Sequence, residues 1–333
     1  MIMNNNLNPT ARKTMIKTLC VDSLFRASLE SDPANFMFSL AEPINNVISM
    51  KLVTMELPNN WYLFSSKNRT NEFTITCYNF PDSEGNLIAK KSHTILLPDG
   101  NYLNTSFVPC LQTYFLNVGE GLQYIRIYIN DINATTEFST GKVDAPSWPR
   151  DPYHQYPITD YPDPLDRFYF ELDFTIPNKP HYKTLGFAMG FQKTKYRVDY
   201  LDDNPYVDII SEGPPVYGAY IASESSYGST FSHYVFLEID DFQRNVSSNT
   251  IVSYIGNGDS YLNNNIFAKI VVSSGQWTSI IDNAGDFVFK KRNYFGPIKL
   301  EKMNIKLLSR FGEIMDLNFN DYSFSLELEV VYS

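Results

Sequence analysis

Residues 321–333 read DYSFSLELEVVYS. Tyr322, Phe324, Leu326, Leu328 and Val330 alternate with Ser323, Ser325, Glu327 and Glu329, the period-2 pattern of a strand with one buried face. Shifting such a strand by one residue would carry its whole apolar set to solvent. The pattern predicts a strand over 322–331, paired on at least one side, with Phe324, Leu326 and Leu328 buried.

The segment before it, FGPIKLEKMNIKLLSRFGEIMDL (295–317), is patterned the same way with one change. Ile298 and Leu300 share one phase, while Met303, Ile305 and Leu307 share the other, so the strand shifts register midway. Ser309-Arg310-Phe311-Gly312-Glu313 reads as a hairpin turn in which Gly312 supplies positive φ. Asn318-Phe319-Asn320-Asp321 turns the chain into the last strand. Far upstream, NFMFSL (35–40) and NVISMKLVTMEL (46–57) read as strands separated by the turn-like Glu42-Pro43-Ile44-Asn45. The second changes phase near Leu52-Val53, which predicts a β-bulge there or burial on both faces. Further strands are predicted at 72–78, 93–97, 124–129, 167–176, 233–240, 265–272 and 286–291, punctuated by turn signals such as Asp99-Gly100-Asn101. One helix stands apart. In NTSFVPCLQTYFLN (104–117), Phe107, Leu111, Tyr114 and Phe115 fall on one face, with Thr105 or Ser106 as N-cap and Pro109 tolerable only near the first turn.

Composition agrees. Among 333 residues, 43% are hydrophobic, enough for a substantial core, and Tyr (23) and Phe (24) far exceed Trp (3), which favours pleated surfaces. The fold class expected is all-β, a jelly-roll-like antiparallel β-sandwich with long loops and one short helix. A net charge of −10 argues against general nucleic-acid binding. The N-terminus is locally basic, with Arg12, Lys13 and Lys17 preceding the first acid, Asp22, so residues 1–17 are expected to be an extended N-terminal arm, either a solvated chain end or an arm that docks on a partner. DAPSWPRDPYHQYPITDYPDPLD (144–166) holds six prolines without apolar periodicity and reads as a stiff surface loop in preference to an inter-domain linker, because the strands on either side have the same character. Its Trp148, Tyr153, Tyr156 and Tyr161, with Arg12, Lys13 and Lys17, are the candidate contact residues. The remaining 18–333 is expected to form one sandwich domain with variable insertions within 195–265. No apolar run approaches the roughly 18 residues of a membrane span, and the Asn-rich start lacks a signal-peptide core. Cys20, Cys77 and Cys110 are odd in number and widely spaced, as free thiols of a reducing compartment are.

Motifs for chemistry are absent from the sequence. The four His stand at no metal-ligand spacing, and no phosphate-cradling glycine loop or serine nucleophile motif occurs. TLGFAMGF (184–191) reads as a turn with close packing. Glu171 and Asp173, or Glu238, Asp240 and Asp241, alternate with apolar residues as solvent-facing strand positions do, so they mark no glycosidase pair. PNNWYLF (58–64) reads as aromatic core in preference to a sugar platform. No catalytic residue, metal or cofactor is predicted, and the chain is expected not to be an enzyme. A glycan-binding attachment sandwich is the alternative from another class.

TLCVDSLFR (18–26), NFMFSLAEPINNVISMKLVTMELPNNWYLFS (35–65), LPDGNY (97–102), LGFAMGF (185–191) and the block 295–329 together resemble jelly-roll minor capsid and penton-type structural proteins of nucleocytoplasmic large DNA viruses, the giant viruses. The likeness runs from about Thr18 onward and is strongest at the two ends; 130–180 and 195–265 depart from it. It implies a virion structural protein made in the host cytoplasm, either a minor capsid component or a penton subunit. Its implied partners are the major capsid protein and other capsid proteins. Homo-oligomerisation and proximity to an internal virion membrane stay open, and no specific nucleic acid is implied.

Overall fold

The computed structural model describes residues 13–140, 168–197, 220–228, 234–246, 250–253, 260–263, 265–272, 278–282 and 291–332. In chain order the strands are β1 (Thr14–Asp22), β2 (Asn35–Pro58), β3 (Glu72–Pro81), β4 (Leu87–Leu96), β5 (Ile125–Ile129), β6 (Thr135–Thr140), β7 (Tyr169–Asp173) and β8 (Lys195–Arg197). They continue as β9 (Tyr220–Ser226), β10 (Tyr234–Asp240), β11 (Thr250–Ser253), β12 (Ser260–Asn263), β13 (Ile266–Val271), β14 (Ser279–Asp282), β15 (Lys291–Leu308) and β16 (Ser323–Val331). The helices are α1 (Asn104–Val118) and α2 (Leu185–Ala188). The fold is all-β and antiparallel, as the sequence predicts. Residues 18–333, expected as one domain, divide into two compact units: Met1–Tyr62 with Ser232–Ser333, and Leu63–Phe231.

The first unit is built on a seven-stranded sheet in the order β1-β16-β2-β15-β10-β13, with β14 also pairing β2; β11 and β12 form a separate two-stranded ladder. β16 pairs on both sides, with β1 and with β2, and Phe324, Leu326, Leu328 and Val330 are all buried. Opposite them stand Met55, Leu52, Met50 and Val47 of β2, also buried. Those four are spaced three, two and three residues apart, whereas β16 keeps a spacing of two. The ladder resolves the mismatch by two register shifts that leave Val53 and Ile48 as extra residues, each a β-bulge. The bulge predicted near Leu52-Val53 is therefore present.

One expectation changes. Residues 35–40 and 46–57 belong to a single 24-residue strand, and no turn separates them. The β2–β15 ladder instead loses register between Leu300↔Ile44 and Lys302↔Ser39, and again between Asn293↔Ser49 and Ile298↔Val47. Pro43 and Pro297 lie in these irregular steps. Neither has an N–H to donate, so the ladder skips them and the strand direction survives. The predicted phase change in β15 is observed: Ile298 and Leu300 are buried, then Met303, Ile305 and Leu307. Gly312 has φ of 77°, and the turn closes through Ser309 N–H donating to Glu313 C=O at 2.7 Å.

The second unit is a sandwich. The sheet β4-β3-β7-β8 and the sheet β5-β6-β9 share one core that includes Phe73, Ile75, Phe170, Leu172, Ile125, Ile127, Phe138 and Ile221. α1 adds Phe107, Leu111 and Phe115 to it. Its N-cap is Leu103, not Thr105 or Ser106. Ser106 supplies the reciprocal half of a capping box, its Oγ accepting from Leu103 N–H at 3.0 Å. Pro109 lies inside the helix. TLGFAMGF contains the four-residue helix α2 where only a turn was expected, but the close packing is there. A Cβ on Gly186 would fall 2.2 Å from the Phe174 ring, and one on Gly190, at φ of 97°, 2.0 Å from Ser225 O. Trp61 and Phe64 are buried, as the core assignment requires. All three cysteines are free thiols.

Leu326→Asp is expected to lower stability by roughly 3–5 kcal/mol, because a carboxyl at that position must be buried without a partner or must open the sheet; a denaturant or thermal melt measures it, and unchanged melting would refute the assignment of β16. Cys77 sits in the second core, and burial pushes its thiol from 9.0 up to about 12. Between those values the unfolded chain has lost the proton that the folded chain keeps, so this group makes stability fall as pH rises from about 9 towards 12. At neutral pH, a thiol reagent is expected to modify exposed Cys20 rapidly and Cys77 only on unfolding.

Candidate assembly edge

β1 ends the sheet of the first unit. It bonds β16 on one side, and among the described residues no strand pairs with its other side. Its register is continuous from Thr14↔Val331 to Asp22↔Ser323. At the two ends, Tyr332 N–H donates to Lys13 C=O at 2.8 Å and Ser23 N–H donates to Tyr322 C=O at 2.9 Å. Bonded and non-bonded positions alternate along an antiparallel ladder. Odd-numbered residues therefore commit their peptide groups to β16, and Thr14, Ile16, Thr18 and Cys20 turn theirs to the open side.

Side chains follow the opposite bookkeeping of faces. Met15, Lys17, Leu19 and Val21 stand opposite Val330, Leu328, Leu326 and Phe324, the core-facing set. Burial fades along this row: Val21 is buried, Leu19 half-buried, Lys17 and Met15 exposed. The other face carries Ile16, 62% exposed, and Cys20, whose Sγ accepts from Ser325 Oγ at 3.5 Å. Lys13 and Lys17, two of the predicted contact residues, are thus a flank and a member of a paired strand. The expected arm of residues 1–17 includes the start of β1, since 14–17 are already in the ladder. A single Lys in an otherwise apolar row hid this strand from the sequence pattern; the alternation Met15, Leu19, Val21 was the signal available. Arg12, Trp148, Tyr153, Tyr156 and Tyr161 lie outside the described residues, as does the 144–166 segment.

Where β1 ends, a buried guanidinium fixes the chain. Arg26 Nη1 pairs with Asp321 Oδ1 at 2.5 Å and donates to Ser23 C=O at 2.8 Å, while Nε donates to Ser31 C=O and Nη2 to Leu29 C=O, both at 2.9 Å. Tyr322 N–H donates to Ser23 Oγ at 2.9 Å. These bonds hold the turn after β1 against the turn before β16. They leave Phe25 and Phe319 outside, 80% and 73% exposed, Phe319 at a φ of 58°, a left-handed conformation uncommon for a bulky residue.

The acids weighed from sequence have structural partners, and two of them, Glu238 and Asp241, are buried where solvent-facing positions were expected. Asp241, just beyond β10, accepts from Arg292 Nη1 at 2.9 Å and from Tyr294 Oη. Asp241 and Arg292 are buried, and burial together with the Asp241 charge pushes the Tyr294 phenol up, so it stays a neutral donor. Lys306 Nζ lies 2.9 Å from Glu238 Oε1. In the second unit, Asp173 pairs with Lys195 at 2.9 Å. Burial opposes ionisation of this carboxyl, but bonds from Lys195 and Thr175 outweigh it and hold the group below its usual range. Glu171 accepts from Tyr78 Oη at 3.2 Å. His93 and His181 meet backbone carbonyls of Glu120 and Phe191 at 3.0 and 2.8 Å. Among the described residues no group of three His, Cys, Asp or Glu could hold a metal ion, and no helix is long and apolar enough to cross a membrane.

No protein-family model matches the chain, and no curated protein matches it. Among solved structures the chain is similar to the mavirus penton protein, at 10% identity and a TM-score of 0.47, covering 96% of this chain and 100% of that one. It is also similar to a chain of the Sputnik virophage structure, at 12% identity and a TM-score of 0.40, covering 95% and 97%.

Asp241→Asn is expected to cost on the order of 3–5 kcal/mol, because it leaves the Arg292 charge buried without its counter-ion. Replacing both residues by apolar ones of similar size should cost much less, and a double-mutant cycle by denaturant titration reads the difference.

Proposed function

We propose that this chain is a virion structural protein, a minor component that contacts and stabilises the major capsid lattice of a large icosahedral DNA virus. The observation that carries this is the edge of β1, which bonds β16 on one side and on the other, among the described residues, offers a row of peptide groups that no strand takes up; this suits a protein whose work is contact with other chains. The sequence resemblance in 18–26, 35–65 and 295–329 supports it independently, because those segments build the sheet that ends in this edge. The chain carries out no chemistry in this reading. Its partners are the major capsid protein and other capsid proteins. Lys13 and Lys17, with Arg12, Trp148, Tyr153, Tyr156 and Tyr161, serve as contact residues, and the protein is made in the host cytoplasm and resides in the virion.

Locating the protein in intact particles by electron cryo-microscopy tests this. Density for the two units beneath or between the major capsomers is the expected result. Density confined to the five-fold vertices would replace the minor-capsid role by that of a penton subunit, and absence from purified particles would overturn the capsid reading.

A further inference from the structure

We infer that the open edge of β1 accepts an added strand from a neighbouring chain, an extended segment bearing carboxylates beside Lys13 and Lys17. The inference rests on the capsid reading for the identity of the neighbour, though not for its chemistry.

The backbone dictates the conformation of the occupant. Thr14, Ile16, Thr18 and Cys20 turn N–H and C=O groups outward at the spacing of a β ladder, and only another extended chain meets donors and acceptors in that order. The side chains dictate its sequence. Next to Leu19 and Val21 the row continues the buried set Phe324 and Leu326, so the added strand needs apolar residues there. Two and six positions from Leu19, at Lys17 and Lys13, the row turns cationic and exposed, and opposite charges are favoured across paired strands.

Among the described residues, no acid pairs with these lysines. Glu327 and Glu329 stand opposite Thr18 and Ile16, on the other face of the sheet. Glu329 accepts from Ser49 Oγ at 3.0 Å and lies 4.0 Å from Lys291 Nζ, and Glu327 has Lys51 as its ladder partner. Asp22 closes the far end of β1, with Oδ1 accepting from Leu24 N–H at 2.9 Å. A second copy of β1 is a poor occupant, because it would bring two more lysines to the same seam.

The test uses the full-length protein and a labelled peptide in which valine and threonine alternate and two glutamates fall four positions apart, followed by fluorescence anisotropy. Binding should weaken about tenfold or more when the glutamates are replaced by lysines, and should weaken with added salt. Thr18→Pro removes an N–H that faces the open side while sparing the bonds to β16, so it should abolish binding and leave the fold intact. The double change Lys13→Glu with Lys17→Glu, at exposed positions, should reverse the preference to the lysine peptide. Equal binding of both peptides, or full binding by folded Thr18→Pro protein, would overturn the inference. A particle reconstruction showing this chain in the capsid with a bare β1 edge would also sink it and leave the capsid reading standing. Peptide binding by a protein absent from virions would do the reverse.

Discussion

The sheet of the first unit depends on the register between β16 and β2. Phe324, Leu326, Leu328 and Val330 are buried along β16 without interruption, and burying four such side chains stabilises by roughly 6–12 kcal/mol before entropy is counted. That is of the order of a whole domain's net stability. A slip of one residue would forfeit it, whereas a bulge forfeits about one ladder bond, worth roughly 1 kcal/mol. The chain therefore keeps β16 regular and bends β2 to it at Val53 and Ile48. β1 and β15 take their positions from the two strands so aligned.

That hierarchy explains what the sequence reveals. Regular alternation is local information, so β16, β3 and the phase change in β15 are legible from neighbours two residues apart, whereas β10, buried at five consecutive positions, is legible only as a short apolar run. The bulge at Val53 is legible for the same reason, as a break in β2's own period. Pro43 misleads because it ends a ladder contact without ending the strand, and only the partner β15 tells the two apart. The division into two units is hidden because β2 and β10, strands of the first, flank the whole of the second and share its strand-like texture.

The ion pairs are illegible for a different reason. Arg26 meets Asp321 across 295 residues of sequence, and Arg292 meets Asp241 across 51. Nothing in the local pattern of FLEIDD separates Asp241, which is buried, from Asp240, which accepts the Phe242 N–H at 2.9 Å in an exposed turn. Such pairs add little net stability relative to apolar packing, but they exclude arrangements in which either charge lacks its partner. At both places the charge pair joins segments that the sheet alone leaves undefined: the turns flanking β1 and β16, and the return of the chain past β10 along the start of β15.

β1 shows how one side chain can serve opposite ends. Lysine on an edge strand is a common guard against indiscriminate pairing, since a passing strand must bury or neutralise the ammonium. Lys17 stands in the core-facing row beside Leu19 and Val21, where an apolar residue would have extended the hydrophobic face and offered it to any strand. The same charge that rejects apolar or cationic segments favours one with a carboxylate at the matching position, because that segment alone regains in ion pairing what the lysine loses in hydration. Protection and selectivity thus follow from a single substitution in the apolar alternation, the one that also conceals the strand from a search for periodicity.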